Sequence, residues 1–163
     1  FVAQEDYSRE ALETLIKSIE AAPAAYRSLV ENLSDKDLTK TYRDDSWNIR
    51  QIVHHVADIQ FLHYFRMKKA MTEPDYKEVT LIDMNAWVTL SDSQLSPISD
   101  SLIAFEGITS RYMFLAKTLT EEQWAIRYYH PLRKLWFNQK QALAMTAWHV
   151  GNHLGHVKWA LGV

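Results

Sequence analysis

Hydrophobic residues recur at spacings of three and four along four segments of the chain, the pattern of helices that bury one face. In the first segment the apolar positions keep one phase from Leu12 to Leu33. Pro23 lies inside this stripe, and because the phase is the same on both sides we expect a kinked but continuous helix. The pattern therefore predicts one long bundle helix near the start of the chain.

The second segment, SWNIRQIVHHVADIQFLHYFRMKKAM, opens with a helix-capping signal. Asn48 and Gln51 form a capping box, in which each side chain satisfies a free backbone N–H of the other residue. Trp47 and Ile52 flank the cap at the positions of a hydrophobic staple. The second helix is predicted to run from Asn48 to Met71.

The third and fourth segments also carry start signals. The third begins at Ser96-Pro97, a cap followed by proline at the first helical position. The fourth begins near Asn138 and continues its apolar stripe to Leu161. About 24 residues, 72–95, separate the second helix from the third, and a link of this length can cross a whole bundle.

Two short motifs echo each other in the remaining connections. LSDKDL, residues 33–38, and LTEEQW, residues 119–124, each follow a predicted helix and each reads as a capped short turn of helix. AIRYYHPL, residues 125–132, is compatible with a small hairpin or with a loop. The fold prediction is all-α: one domain over residues 1–163, a four-helix bundle with a long crossover between its second and third helices.

Composition narrows the possible functions of this chain. Its 163 residues are 47% hydrophobic and 23% charged, the usual mix of a globular domain. The net charge of −2, without long runs of one sign, disfavours non-specific nucleic-acid binding. Neither a membrane span nor a secretory signal is visible, so we expect a cytoplasmic location. Cysteine is absent, which excludes disulfides, cysteine metal sites and cysteine nucleophiles.

Three of the seven histidines lie in AWHVGNHLGHV, residues 147–157. At about 100° per residue, His153 and His156 are rotated from His149 by roughly 40° and −20°, so the three share one helix face. This face borders the apolar stripe. The i, i+4 spacing allows His149 and His153 to converge on one ion, as in helical zinc sites.

A third metal ligand must come from another helix. His55 shares its face with Ile59 and is expected to point inward, whereas His54 has polar neighbours and is expected nearer the surface. His63 lies about two turns further along the helix, and His130 lies in a loop. An inward pair with an inward partner favours a metal site over hydrogen-bonded core histidines.

At these residues the sequence resembles the DinB superfamily, and within it the YfiT-like proposed metal-dependent hydrolases. SWNIRQIVHHVAD and FRMKKAMTE are similar to the family's second helix, and AWVTLSDS is similar to its crossover. YYHP and AWHVGNHLGHV are similar to its last loop and helix. The likeness extends over nearly the whole chain, and the order and spacing of the motifs are more specific than any one of them.

The resemblance implies that His55, His149 and His153 bind one divalent ion per chain. His156 stands where many members have glutamine and YfiT-like ones have histidine, which implies a place near the metal without regular ligation. The family fold is a four-helix bundle with a long crossover, and homodimers are common in it. Val150 and Gly151 replace the usual Gly-x between the two histidines and leave the ligand spacing intact.

Three neutral imidazoles suit Zn²⁺ or Ni²⁺ and leave coordination positions open, as in catalytic sites. The family's known activities include the transfer of low-molecular-weight thiols to electrophiles and thiol-dependent isomerisation. The favoured function is therefore transfer of a small thiol to a small electrophilic substrate through a metal-bound thiolate. Two alternatives stay open: a hydrolase that uses metal-activated water, and a metal-binding bundle protein without catalytic activity.

Asp58, three residues after His55, has two interpretations. Its carboxylate could orient the ligating imidazole by accepting the second ring N–H, a common arrangement around metal sites. It could equally be a surface acid that pairs with Arg50 or Lys69.

Aromatic residues of the crossover and the last loop are candidates for a substrate pocket beside the metal. Trp87, Tyr128 and Tyr129 are the residues in question, and each could also be a core residue. An aromatic wall of this kind would suit an uncharged or aromatic electrophile.

Overall fold

The computed structural model describes all residues from Phe1 to Val163. Its elements, in chain order, are α1 (Arg9–Val30), α2 (Asp35–Leu38), α3 (Ile49–Thr72), α4 (Met84–Trp87), α5 (Ser91–Leu95), α6 (Ile98–Lys117), α7 (Glu121–Trp124), β1 (Arg127–His130), β2 (Leu135–Asn138) and α8 (Gln139–Leu161). The four long helices α1, α3, α6 and α8 confirm the predicted four-helix bundle. None of the helices combines the length and hydropathy that a membrane-spanning segment needs.

The long helices are arranged so that consecutive ones are not always neighbours. Helix α1 packs against α6 and α8, and α3 packs against the same two helices. Helices α1 and α3 therefore lie on one diagonal of the bundle, and α6 and α8 lie on the other. As a result α3 and α8, which are far apart in the sequence, run side by side, and histidines on both can meet.

Apolar side chains fill the space between the four helices, and two buried hydrogen bonds link the helices to one another. Tyr26 donates its hydroxyl proton to the backbone oxygen of Val150 over 2.8 Å, and this bond links α1 to α8. Gln60 donates its amide to the hydroxyl of Thr109 over 2.9 Å and links α3 to α6. Since unpaired polar groups are costly in a core, these bonds favour one arrangement of the helices.

The helix starts follow the capping chemistry closely. The predicted capping box of α3 is present: Asn48 accepts from the Gln51 backbone N–H over 2.9 Å, and Gln51 accepts from that of Asn48 over 3.0 Å. Helix α1 continues through Pro23, as its apolar phase predicts. Helix α6 differs slightly, because Pro97 occupies the cap position and no side chain caps the helix. The Ser96 carbonyl there accepts from a guanidinium of α3 instead.

The connections contain two capped turns and one hairpin. The short helices α2 and α7 confirm the echo between the two motifs, since Ser34 and Thr120 cap them in the same way. The segment that was compatible with a hairpin or a loop forms strand β1, which pairs antiparallel with β2. The crossover joins this hairpin through backbone bonds between Tyr129 and both Lys77 and Val79. Crossover and hairpin are therefore one connected layer.

The Tyr26 hydroxyl offers a test of how α1 is held to α8. Replacing Tyr26 with Phe removes the buried donor and keeps the ring, so we expect the free energy of unfolding to fall by about 1 kcal/mol. Urea denaturation measures the change. Tyr129→Phe is the matched control, because Tyr129 is only half-buried and packs against Trp136. Equal losses in both variants would contradict a specific role for the Tyr26 bond.

Candidate metal centre

Three imidazoles meet between α3 and α8. One nitrogen from each of His55, His149 and His153 lies within 4.8 Å of the other two. The Nε2 atoms of His55 and His149 are 3.0 Å apart. The ring centroids of His149 and His153, one helical turn apart on α8, are separated by 4.7 Å. The structure therefore brings together the three residues that the sequence predicted as ligands.

The protein environment keeps these imidazoles neutral. Burial, with a contribution from the neighbouring His153, lowers the pKa of His55 to about 3. Burial, with a contribution from His156, lowers the pKa of His153 to about 4. The pKa of His149 is also well below its ordinary value, mainly because of burial. All three rings therefore have a lone pair available near neutral pH.

This donor set fits a divalent cation better than it fits a hydrogen-bonded cluster. Two imidazole nitrogens bound to one tetrahedral zinc at about 2.05 Å lie roughly 3.3 Å apart, close to the separation between His55 and His149. Nδ1 of His149 is buried and has no hydrogen-bond partner within the protein. Three imidazoles from two helices, without a carboxylate, leave coordination positions for a further ligand.

Two neighbours hold the candidate ligands in place. Trp47, the residue before the α3 cap, packs against His55 with 4.6 Å between ring centroids and lies nearly parallel to His153. His156 places its Nδ1 3.3 Å from Nδ1 of His153 and stacks on Tyr42 at 4.0 Å. His156 thus lies beside a candidate ligand, where the sequence expected it.

Asp58 forms no hydrogen bond with His55, although such a bond was one of the two interpretations that the sequence left open. Asp58 follows His55 by three residues, and this separation places the two side chains roughly 60° apart around the axis of α3. Burial, with a smaller contribution from the negative charge of Asp92 in α5, raises the pKa of Asp58 to about 6. The alternative pairing is also wrong, because Arg50 pairs with an acid of α2 and Lys69 pairs with the residue that follows α3.

The prediction that His54 lies near the surface is wrong. It is buried, and its Nδ1 lies 2.7 Å from the hydroxyl of Ser101 in α6. The reason is the packing of α3 between α6 and α8, which covers two faces of the helix. His54 therefore points away from the centre formed by His55.

A cavity of about 480 Å³ opens over the three histidines. Helix α3, the crossover, the hairpin turn and α8 contribute its walls. Much of the wall is apolar, with side chains that include Leu81, Met84, Leu132, Met145 and Trp148. No aspartate or glutamate is among the lining residues. The cavity therefore suits a ligand with an apolar body.

The prediction of an aromatic pocket wall is wrong, because the three aromatic residues concerned do not line the cavity. Trp87, Tyr128 and Tyr129 are all absent from the cavity wall. Tyr128 is buried under the hairpin, and Tyr129, which alternates to the other face of the strand, packs against Trp136. The crossover residues that reach the cavity precede Trp87 in the chain.

The sequence did not assign several of the wall residues to a pocket, although helix geometry places those of α3 beside His55. Relative to His55, rotation of about 100° per residue places Ile59, His63 and Arg66 at roughly 40°, 80° and 20°, all on one face. His63 makes a hydrogen bond of 2.9 Å with the hydroxyl of Thr146 through Nδ1. Strand β1 has only four residues and Arg133 lies in the turn that follows it, so the sequence placed neither His130 nor Arg133 in the wall.

The fold and the histidine cluster define a helical-bundle protein with a candidate metal centre shared by two facing helices. The chain belongs to the DinB superfamily, which it matches over residues 18–157. A proposed metal-dependent hydrolase of Halalkalibacterium halodurans is 37% identical over 92% of this chain and 86% of its own length. YfiT of Bacillus subtilis, named in the same way, is 34% identical over 94% of this chain and 86% of its own.

Solved structures agree with this assignment. The structure of Bacillus subtilis YfiT, described as a four-helix bundle of unusual topology, superposes with a TM-score of 0.93 at 32% identity and covers 99% of this chain and 94% of its own. A mycothiol-dependent maleylpyruvate isomerase superposes with a TM-score of 0.70 at 15% identity, covering 90% of this chain and 60% of its own. The second likeness shows a shared fold alone.

Removal of any one candidate ligand should strip the metal. We expect His55→Ala, His149→Ala and His153→Ala each to bind much less zinc than the unmodified protein when loaded under the same conditions, because two imidazoles hold the ion too weakly. Elemental analysis by mass spectrometry measures the metal per chain. His54→Gln is the matched control, since His54 faces Ser101. Unchanged metal content in all three alanine variants would show that the centre is misplaced.

Acid should destabilise the metal-free protein. Burial lowers the pKa of His63 to about 3 and that of His130 to about 4, against about 6.5 in an unfolded chain. Between these values the unfolded state binds more protons, so the free energy of unfolding should fall as pH decreases from about 6.5 to about 4. Urea denaturation of chelated protein across this range measures the slope, which His130→Asn should reduce. A flat profile would contradict the burial of neutral histidines.

Proposed function

We propose that this protein is a metal-dependent enzyme that transfers a low-molecular-weight thiol to a small electrophile. The observation that carries the proposal is the cluster of three neutral imidazoles at the base of a largely apolar cavity. A divalent ion bound there, zinc or nickel by the chemistry of the donors, supplies Lewis acidity and lowers the pKa of a thiol or water that coordinates it.

The chain's own residues have three tasks in this reaction. His55, His149 and His153 hold the ion, and Trp47 and His156 restrict the rings of the ligands. The apolar side chains of the crossover and α8 bind the body of the electrophile and exclude water from it. Exclusion of water strengthens electrostatic interactions in the site and limits side reactions.

The composition of the wall favours a thiol over water as the nucleophile. Helical zinc hydrolases commonly use a glutamate as general base to activate water, and no carboxylate lines this cavity. A thiolate attacks without further proton removal, so no base is needed. The fold is also that of a mycothiol-dependent isomerase, which makes thiol chemistry compatible with the architecture, although fold alone does not determine function.

Hydrolysis is the second candidate, supported by the names of the relatives and by His63. The hydroxyl of Thr146 donates to the Ala142 carbonyl over 3.0 Å, so it accepts from Nδ1–H of His63. The lone pair of His63 is then on Nε2, in a residue that lines the cavity. Burial lowers the pKa of His63 to about 3, which makes it a weak base at neutral pH and favours the thiol reaction.

A conjugation assay tests the proposed function. We expect metal-loaded protein to consume cysteine or another small thiol in the presence of 1-chloro-2,4-dinitrobenzene, and chelated protein and His149→Ala to give only the uncatalysed rate. Absorbance of the thioether follows the reaction. His54→Gln, which leaves the three candidate ligands intact, should remain active. Equal rates in all samples would remove the catalytic claim, and metal-dependent ester hydrolysis without any thiol would establish the second candidate instead.

A further inference from the structure

We propose that one wall of the cavity is an anion subsite, formed by Arg66, Arg133 and His130, that binds a carboxylate of the molecule in the cavity. The inference rests on the proposed function only in naming the occupant as a reactant. It assigns the substrate class: a small acid with an apolar body.

Arg66 is a buried cation without an acidic partner. It is only 6% exposed, and its Nε and one Nη both donate to the carbonyl oxygen of Thr80, at 3.1 and 2.6 Å. Arg66 forms none of the salt bridges of the structure. The cavity wall contains no aspartate or glutamate. A guanidinium has five N–H donors, so most of its donors remain for a ligand. Burial of an unpaired charge is costly unless an anion compensates it.

Two further residues with hydrogen-bond donors line the same cavity as Arg66. Arg133, in the hairpin turn, lines the same cavity as Arg66. In agreement with this placement, both arginines contribute to lowering the pKa of His63 and of His130. His130 is 7% exposed, and its Nδ1 is buried without a hydrogen-bond partner. The cavity is thus lined by three side chains with N–H donors, Arg66 of α3, His130 of β1 and Arg133 of the turn. No carboxylate of the protein lines the cavity to accept hydrogen bonds from them.

The position of Arg66 along α3 sets the size of the ligand. Arg66 follows His55 by 11 residues, which corresponds to roughly 20° of rotation and about 16 Å along the helix axis. Helix side chains lean toward the N-terminus, so the long arginine side chain shortens this gap. The wall between the two residues includes the apolar Ile59 and Leu62. An acid with an aromatic or aliphatic body fits this span better than acetate does.

Binding of a matched pair of probes to the full chain tests the subsite. The probes are 3-phenylpropanoate and 3-phenylpropanamide, which differ in charge and little in shape, and calorimetry with chelated protein at low salt gives the two affinities. We expect the acid to bind at least about tenfold more tightly than the amide, because charge-assisted bonds to a carboxylate are the stronger ones. Arg66→Met and Arg133→Met should each remove most of this preference and leave amide binding unchanged.

Three controls make the result specific. Arg9→Met removes the same charge from exposed Arg9 of α1, outside the cavity, and should retain the preference. Arg66→Lys keeps the charge and should retain part of it. Arg133 is exposed, so Arg133→Met should fold even where Arg66→Met loses stability with its bond to Thr80; melting temperatures check both.

Turnover with matched reactants identifies which molecule carries the carboxylate. In one arm 3-mercaptopropanoate is compared with 2-mercaptoethanol, and in the other an acidic electrophile is compared with its amide. A preference for the acidic reactant that Arg133→Met abolishes would support the subsite. The arm in which it occurs would show whether the thiol or the electrophile carries the carboxylate. Absence of a preference in both arms would overturn the substrate assignment.

The decisive outcomes separate this inference from the proposed function. Equal affinities for acid and amide, or unchanged affinities in both arginine variants, would overturn the subsite. A preference that exists only in metal-loaded protein would also overturn it, since the carboxylate would then be a metal ligand. If the protein failed to bind metal or to turn over a thiol, the proposed function would be wrong. The preference for the acid over the amide, measured with chelated protein, would still support the anion subsite.

Discussion

The side-by-side packing of α3 and α8 is the constraint on which the candidate site depends. His55 comes from one helix and His149 and His153 come from the other, so the three nitrogens meet only if these two helices are neighbours. The diagonal placement of α1 and α3 makes them so, and the bond from Tyr26 to the Val150 carbonyl holds α8 at the residue next to His149. Stability of the bundle and formation of the centre are therefore linked.

Much of the fold was readable from periodicity and caps. Helix α3 lies within one residue of its predicted limits, because the Asn48–Gln51 box and the apolar stripe agree about where the helix begins and which face it buries. The three candidate ligands followed from the same arithmetic. The errors arose where neighbours decide the outcome: packing of α6 buries His54, and α5 places Asp92 beside Asp58. The pocket residues of the crossover and the hairpin lie in loops, in turns or in elements of only four residues, which are too short for a pattern to predict the direction of a side chain.

The electrostatics of the cavity follow from the burial of histidines and one arginine in a wall that contains no acidic residue. The histidines are neutral because water is excluded from them, and that neutrality makes them ligands instead of cations. Arg66 cannot become neutral in this way, and its burial without a carboxylate leaves positive charge directed into the cavity. A bound metal would add to this charge. The cavity as a whole is therefore arranged for an apolar ligand with negative charge, or for a nucleophile that becomes negative when it binds.

We propose that three imidazoles hold a divalent ion with a position open for a thiol. X-ray absorption spectroscopy of zinc-loaded protein can test this arrangement, because it reports the atoms bound to the ion. We expect a first shell of nitrogen and oxygen with imidazole scattering, and a new sulfur scatterer at about 2.3 Å after addition of a small thiol. A shell without imidazole, or one that thiol leaves unchanged, would contradict it.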